Sequence, residues 1–308
     1  MSDGLPMAFS QDSSDSPTRS CLVCCVVVNW NGWRDTVECL NSLERQDYDN
    51  LRVIVVDNGS TNDSIERIRE AHPWARLIET GCNLGFSTGC NVGIRLAIEG
   101  GADYVWLLNN DTVAPMDTTT KLLRTALANP ESGAIGTVLH YLHNPSQVQA
   151  WGGGRINLWT GYVSHFNKPT RFGKNTYLTG ASVLLPRRTC EAVGIFYEGF
   201  FMYGDDSDLS IRIRRAGYEL VMAEDTCVLH KEGASSPKRS PLIDSYSTTS
   251  LMRLLKRQAA LPILSILIFL SLRLGNRLVR REWSNLAGVW RGISVYVRER
   301  KLTFVDRL

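Results

Sequence analysis

The chain has 308 residues, 44% apolar and 21% charged, the balance of an ordinary globular protein with a substantial core in one large domain or two modest ones. Its net charge of +3 is uneven: residues 253–308 hold 12 Lys/Arg and 3 Asp/Glu, a net of +9, so residues 1–252, with 22 Lys/Arg and 28 Asp/Glu, carry −6. An acidic body with a basic tail predicts a tail that meets an anionic surface, while the absence of a basic patch interleaved with aromatics excludes nucleic acid as the expected partner.

Residues 1–20, MSDGLPMAFSQDSSDSPTRS, are rich in Ser and Asp and lack the basic start and apolar core of a secretion signal, so they read as a disordered leader. From residue 21 to about 141, short unbroken apolar runs alternate with amphipathic segments. The runs are 21–29 (CLVCCVVVN), 51–57 (LRVIVVD), 75–79 (ARLIE), 103–109 (DYVWLLN) and 133–139 (GAIGTVL). Continuous apolarity predicts strands buried on both faces. Between them, Trp33, Val37, Leu40 and Leu43 recur at helical spacing, as do Ile65 and Ile68, then Cys90, Ile94 and Ala97, then Leu122, Leu123 and Leu127. This order predicts a doubly wound α/β layer with a mostly parallel sheet. Within the first strand Cys24 faces away from Cys21 and Cys25, which argues against a shared metal and for small buried hydrophobes in a reducing compartment.

Residues 144–175 are rich in Gly, Asn, Pro and aromatics without a clean period, and read as loops with a short hairpin. A strand over 176–185, a helix near 206–216 and strands near 218–223 and 226–230 follow. The last 60 residues read as helical, basic and amphipathic. Their most apolar stretch, 261–272 (LPILSILIFLSL), falls short of the ~18 residues a spanning helix needs and opens on Pro262. Arg253, Lys256 and Arg257 precede it; Arg273, Arg277, Arg280 and Arg281 follow. An interfacial helix on anionic lipid has that pattern, and so has a helix docked on the protein with solvated arginines.

In an open parallel sheet, ligands bind at the carboxyl ends of the strands. The first strand ends in Asn29-Trp30-Asn31-Gly32 and the second in Asp57-Asn58-Gly59-Ser60. Asp57 suits a ribose hydroxyl or a base N–H, and the same four residues also make a good turn. In Asn83-Leu84-Gly85-Phe86-Ser87-Thr88-Gly89, two glycines before a helix let backbone approach a phosphate or base. The strand DYVWLL ends in Asn109-Asn110-Asp111, where a single carboxylate suits Mg²⁺ or Mn²⁺ shared with a diphosphate. In Phe200-Phe201-Met202-Tyr203-Gly204-Asp205-Asp206-Ser207-Asp208, three acids follow an apolar wall. Acids favour a helix start, and an apolar wall also raises a carboxylate's pKa toward that of a general base. His230 closes a short strand.

Seven stretches, VVVNWNG (26–32), VVDNGSTND (55–63), NLGFSTGCNVGI (83–94), WLLNNDT (106–112), YLTGASVLLPRR (177–188), FFMYGDDSDLSIRIRRAGY (200–218) and VLHKEGAS (228–235), together resemble the family-two, GT-A type glycosyltransferases, in particular the bacterial rhamnosyltransferase-like branch. The resemblance runs in order over residues 22–300. It implies a Rossmann-like catalytic domain over 21–240, with a nucleotide-binding half (21–115) and an acceptor half (116–240), followed by the basic amphipathic helical tail, 241–308. It implies an inverting transfer from a nucleoside-diphosphate sugar, dTDP- or UDP-linked, to a glycan or polyprenyl-linked acceptor, at the inner face of the cell membrane. Val28, Asn29, Trp30 and Asp57 would hold the donor's base and ribose, with Asn83 and Gly85 along the nucleotide. Asn109, Asn110 and Asp111 occupy the family's metal motif, with one carboxylate where the general form has two. Gly180-Ala181 would face the acceptor. Asp206 aligns with the catalytic base, and Asp205 replaces the family's Glu. His230 would stand against the metal or diphosphate. Two other readings compete: a sugar-nucleotide pyrophosphorylase, which calls for a Gly-rich Arg/Lys loop where this chain has NWNGWRD, and a non-catalytic nucleotide-binding scaffold.

Overall fold

The Val-, Ile- and Leu-rich runs form the strands they predict. The computed structural model describes residues 20–231 and 240–305. Its first half alternates as β1 (Val23–Asn29), α1 (Trp33–Glu44), β2 (Leu51–Asp57), α2 (Ser64–Ala71), β3 (Arg76–Glu79), α3 (Phe86–Glu99) and β4 (Tyr104–Asn109). Then come β5 (Thr112–Val113), α4 (Thr118–Ala128), β6 (Ser132–Tyr141), β7 (Asn144–Trp151), β8 (Gly153–Ile156), β9 (Val163–His165), β10 (Thr176–Leu178) and β11 (Ser182–Pro186). The chain continues through α5 (Arg187–Val193), α6 (Asp205–Arg215), β12 (Glu219–His230), α7 (Pro241–Gln258), α8 (Pro262–Val279) and α9 (Trp283–Val305).

The main sheet has the order β3-β2-β1-β4-β11-β6-β12-β5, with β7 on β6. β3, β2, β1 and β4 are parallel, as are β6 and β12, while β11 runs against both its neighbours. Each face of the sheet buries its own layer. Cys25 and Val27 of β1 meet Leu40 and Leu43 of α1 on one side, and Cys24 and Val26 meet Cys90 and Ile94 of α3 on the other. A third cluster joins Phe200, Leu254 and Phe269 beneath the C-terminal helices.

Strand register places the site. Asn29 pairs with Asp57 and Val28 with Asn109, so the carboxyl ends of β2, β1 and β4 stand in line. The chain leaves β1 toward β2 on one side and returns to β4 on the other, which makes the gap between β1 and β4 the switch point where ligands bind.

Four expectations are corrected in detail. Residues 144–175 hold three strands, and β8, β9 and β10 form a separate antiparallel sheet; the largely exposed β7 and these short strands carry little hydrophobic alternation to read. The strand expected over 176–185 breaks at Thr179-Gly180-Ala181, where the chain passes from the small sheet to the main one. The strands near 218–223 and 226–230 are one strand, β12, with a bulge between Ala223 and Cys227. The apolar stretch 261–272 also proves part of a longer helix, α8, which has 18 residues and a mean hydropathy of 1.5. It runs through Arg273 and Arg277 because both turn inward to Asp244, at 2.7 and 2.8 Å.

Candidate active site

Val28, Asn109, Asn110, Asp111, Gly180, Asp205, Asp206 and His230 line one open cavity of about 740 Å³. Carboxylates from the two halves of the chain therefore face a shared space, although Asp111 and Asp206 are 95 positions apart in sequence. Met202, Tyr203, Ile243 and Leu251 form an apolar wall on the α6–α7 side.

Asn109-Asn110-Asp111 turns off the end of β4. His230, at the end of β12, places Nε2 at 3.1 Å from Asp111 Oδ1. Its Nδ1 lies 2.8 Å from Gln149 Oε1 on β7. An amide oxygen can only accept, so this contact puts a proton on Nδ1 and directs the other ring nitrogen at Asp111. A lone pair on Nε2 facing a carboxylate at that distance requires a proton or a cation between them. Asn109 Oδ1 is buried beside this pair without a hydrogen-bond partner, while its Nδ2 stands 3.5 Å from His230 Nε2. Among the described residues no three His, Cys, Asp or Glu converge as a metal site. The chain thus offers a carboxylate, an imidazole and an amide oxygen, which fits a hard divalent cation completed by substrate phosphate oxygens. Asn110, also on the cavity lining, donates Nδ2–H to Thr36 Oγ1 at 3.0 Å.

The acidic pair opens α6. Tyr203 and Gly204 both have left-handed backbone, φ 71° and 79°. For a bulky residue such as Tyr203 that conformation is strained, and strain of this kind concentrates at functional sites. The turn starts α6 with its first acids at the cavity. Asp205 is buried and accepts from Ser87 Oγ at 3.2 Å. Asp206 accepts from Ser207 N–H at 2.6 Å and from the Gly180 N–H. Burial pushes both carboxyls above the usual range, and the neighbouring Asp206 charge raises Asp205 further.

The other expected donor-binding residues surround the cavity without lining it. Asn29 and Asp57 are buried and bonded to each other at 2.7 Å; Asp57 also receives Ser60 N–H and Oγ–H, and Asn29 Oδ1 receives Thr36 Oγ1–H. Their hydrogen bonds fasten the β1 and β2 end loops to each other. Trp30 is half-exposed on that rim. Asn83 Oδ1 accepts from Gly85 N–H at 2.9 Å and from Asn58. Gly85, at φ 83°, lies so near Phe201 that a Cβ there would stand 2.6 Å from the Phe201 carbonyl oxygen. Phe86 N–H donates to that carbonyl at 2.7 Å. The glycine therefore lets α3 clamp the segment that carries the acidic pair.

Gln149 left no readable signal, and Asp208 was readable only as one of three acids at a helix start. Gln149 sits on a strand without periodicity. Asp208 is fully buried and binds Arg212, Arg257 and Gln258, fastening α6 to α7. Arg257 also lies 3.9 Å over the Tyr197 ring. Tail arginines expected to meet lipid are thus turned inward: Arg253 to the Gly199 carbonyl, Arg257 to Asp208, and Arg273 and Arg277 to Asp244.

The family model "Glycosyl transferase family 2" matches residues 24–194. An N-acetylglucosaminyl-diphospho-decaprenol L-rhamnosyltransferase of Mycobacterium tuberculosis is 30% identical over 217 residues, 62% of this chain and 69% of that one. A galactofuranosyltransferase of Mycolicibacterium smegmatis is 26% identical over 72% of this chain and 74% of its own. Among solved structures, a mannosyltransferase from Pyrobaculum calidifontis, determined with GDP-Man and Mn²⁺, superposes with a TM-score of 0.56 at 18% identity, covering 91% of this chain and 88% of that one. GalNAc-T7 with UDP, GalNAc and Mn²⁺ gives 0.62 at 12% identity over 79% and 49%. The switch-point cavity, the strand order and the sequence match agree: the chain is a glycosyltransferase of family 2 with the GT-A fold.

Proposed function

We propose that this enzyme transfers a sugar, of the rhamnose class, from a dTDP- or UDP-linked donor to a polyprenyl-linked or growing glycan acceptor, with inversion, at the inner face of the cell membrane. The observation that carries the reading is the single cavity in which Asp205-Asp206 faces Asn109, Asp111 and His230. The relative named for a decaprenol-linked acceptor and L-rhamnose supports the choice of substrates.

In this reading Asp111 and His230, with Asn109 Oδ1, would hold Mg²⁺ or Mn²⁺, which when bound would supply positive charge to offset the negative charge gained by the leaving diphosphate. Val28 and Asn110 border the nucleotide, with Trp30 at the rim. Asn29, Asp57, Asn83 and Gly85 hold the surrounding loops in shape. Asp206 takes the acceptor hydroxyl proton while that oxygen forms its bond to the anomeric carbon and the carbon–oxygen bond to the nucleoside diphosphate breaks. One displacement inverts the configuration, and no covalent enzyme intermediate forms. The raised pKa of Asp206 makes it a stronger base than a solvated carboxylate. Gly180 N–H and Ser207 N–H hold its oxygens in place.

The test supplies purified enzyme with Mn²⁺ or Mg²⁺, a panel of nucleotide sugars and polyprenyl-diphosphate acceptors, beside the Asp111→Ala variant. Release of nucleoside diphosphate from one donor, with a product of inverted anomeric configuration and loss of turnover in the variant, is expected. A retained configuration overturns the single displacement. Nucleotide binding without turnover of any donor would instead support a scaffold.

A further inference from the structure

α8 is amphipathic in the reverse sense for a helix at a water surface. Of its 18 residues only Ser265 and Phe269 are buried. Arg273 and Arg277 continue the same face at four-residue spacing and turn inward to Asp244, itself buried on α7. The apolar residues point outward: Ile263 is 79% exposed, Leu267 57% and Val279 85%. Just beyond, Trp283 is 65% exposed. An apolar face of this extent is not the scattered exposure of an ordinary surface.

Charge around that face has one sign. Lys256, Arg280, Arg281, Arg291 and Arg298 are exposed. Glu282, the one acid between positions 245 and 298, pairs with Arg277. Outward leucines edged by tryptophan and exposed cations match the boundary between acyl chains and anionic headgroups.

The orientation follows from the inner face. Upright, 18 residues would rise only about 27 Å, just short of the ~30 Å hydrocarbon core. Standing across a bilayer would also separate Arg273 and Arg277 from Asp244 and expose them to hydrocarbon. Lying flat keeps both ion pairs and buries the leucines.

We infer that the outer face of α8, with Trp283, is a docking surface that lies in the plane of an anionic bilayer and sets the active-site cavity at the lipid boundary. The same elements join surface and cavity. Ile243, Ser247 and Leu251 of α7 line the cavity, and Arg273 of α8 donates to Ser247 Oγ from behind. The loop after β8 places Gly161 against Phe269 and leads directly to Val163 at the cavity rim. A lipid-borne acceptor therefore reaches Asp206 along the side of the molecule that touches the membrane. The inference rests on the proposed function only for what enters the cavity; the surface stands on its own geometry.

The experiment is flotation of the full chain with vesicles of phosphatidylcholine, with and without phosphatidylglycerol, for wild type and the I263D/L267D double variant. Both substitutions lie on the exposed face, away from the cavity. Wild type is expected on the anionic vesicles, with salt-sensitive binding, and the double variant to lose more than about tenfold in vesicle affinity while its donor hydrolysis in solution is unchanged. Equal binding by the variant overturns the inference. So does a wild-type dimer in solution that the variant splits, because a second copy would then cover the face. Resistance of native membranes to carbonate extraction of the enzyme contradicts the in-plane orientation. Wild-type vesicle binding in a protein that turns over no donor supports the surface and sinks the proposed reaction, so the two failures are distinguishable.

Discussion

Replacing Asp208 with Ala removes the carboxylate that ties α6 to α7. Asp208 is fully buried and accepts from Arg212 Nε at 2.9 Å, Arg257 Nε at 2.9 Å and Gln258 Nε2 at 2.6 Å. Removing one partner of a buried ion pair costs about 3–5 kcal/mol. Both arginine side chains keep contact with solvent, at 19% and 32% exposure, and Arg212 retains the Val193 and Ile195 carbonyls. The low end, about 3 kcal/mol, therefore applies. At about 2.1 cal/mol/K per residue, a 308-residue chain unfolds with an entropy of about 0.65 kcal/mol/K, so the Tm should fall by about 5 °C. The sign of the pH dependence is also set. Burial alone would raise the Asp208 carboxyl, but hydrogen bonds from Arg257 and Gln258 and the Arg212 charge outweigh it and hold the carboxyl below the usual range. A depressed folded pKa gives stability that is present above the unfolded value of about 3.9 and lost as pH falls through the folded value. Calorimetry on both proteins should show the full Tm gap near neutrality and a closing gap below about pH 4. A neutral-pH gap under about 1 °C, or a gap that persists in acid while the protein stays folded, refutes the reasoning.

The acidic pair predicts the opposite trend. Burial raises Asp205 and Asp206, so in the folded state they hold protons to higher pH than in the unfolded chain, and stability falls as pH rises from the ordinary carboxylate range through their folded values. Asp205→Asn should therefore raise the Tm near neutral pH while reducing transfer, and an unchanged or lower Tm contradicts the assigned burial penalty. Transfer itself should show an acid limb above the usual carboxylate range, moved or removed when the pair is mutated, which a pH–rate profile reads directly. Gln149→Leu should weaken Mn²⁺ binding by about 10–100-fold in titration calorimetry, by releasing the proton on His230 Nδ1, and a metal affinity equal to wild type would falsify that positioning role. Gly85→Ala should destabilise the enzyme by about 1–3 kcal/mol in urea unfolding, because φ 83° is strained for alanine and the added Cβ meets the Phe201 carbonyl; a neutral effect would show that the α3 clamp is loose.

The parallel half of the fold was legible because β1, β2 and β4 are largely buried and spell that out as the continuous apolar runs 21–29, 51–57 and 103–109, while the partly exposed edge strand β3 appears where 75–79 predicts it. The antiparallel additions were not. β7 reads NPSQVQAW and is mostly exposed, so nothing in it alternates, yet it carries the residue that orients His230. The break at Gly180 was hidden in one apolar stretch because both halves are buried, in different sheets. Asp205, Asp206, Asp111 and His230 were found as strand-end or helix-start polar residues, but only the fold brings them to one cavity. Asn29, Asp57 and Gly85 are loop-fixing residues by their contacts, which residue type alone does not distinguish from ligand contact. The tail charges were countable, and their direction was not: Arg257, Arg273 and Arg277 find buried acids that lie far away in sequence or on a separate helix.

Asp206 is the proposed base, lining the same cavity as Asp111 and His230. The most direct measurement is the transfer rate of Asp206→Asn with the wild-type donor and acceptor at saturation. Loss of a positioned general base costs about 10²–10⁴-fold, and a fall of that size is expected. A rate within a few-fold of wild type would show that the acceptor proton leaves by another route and would contradict the mechanism.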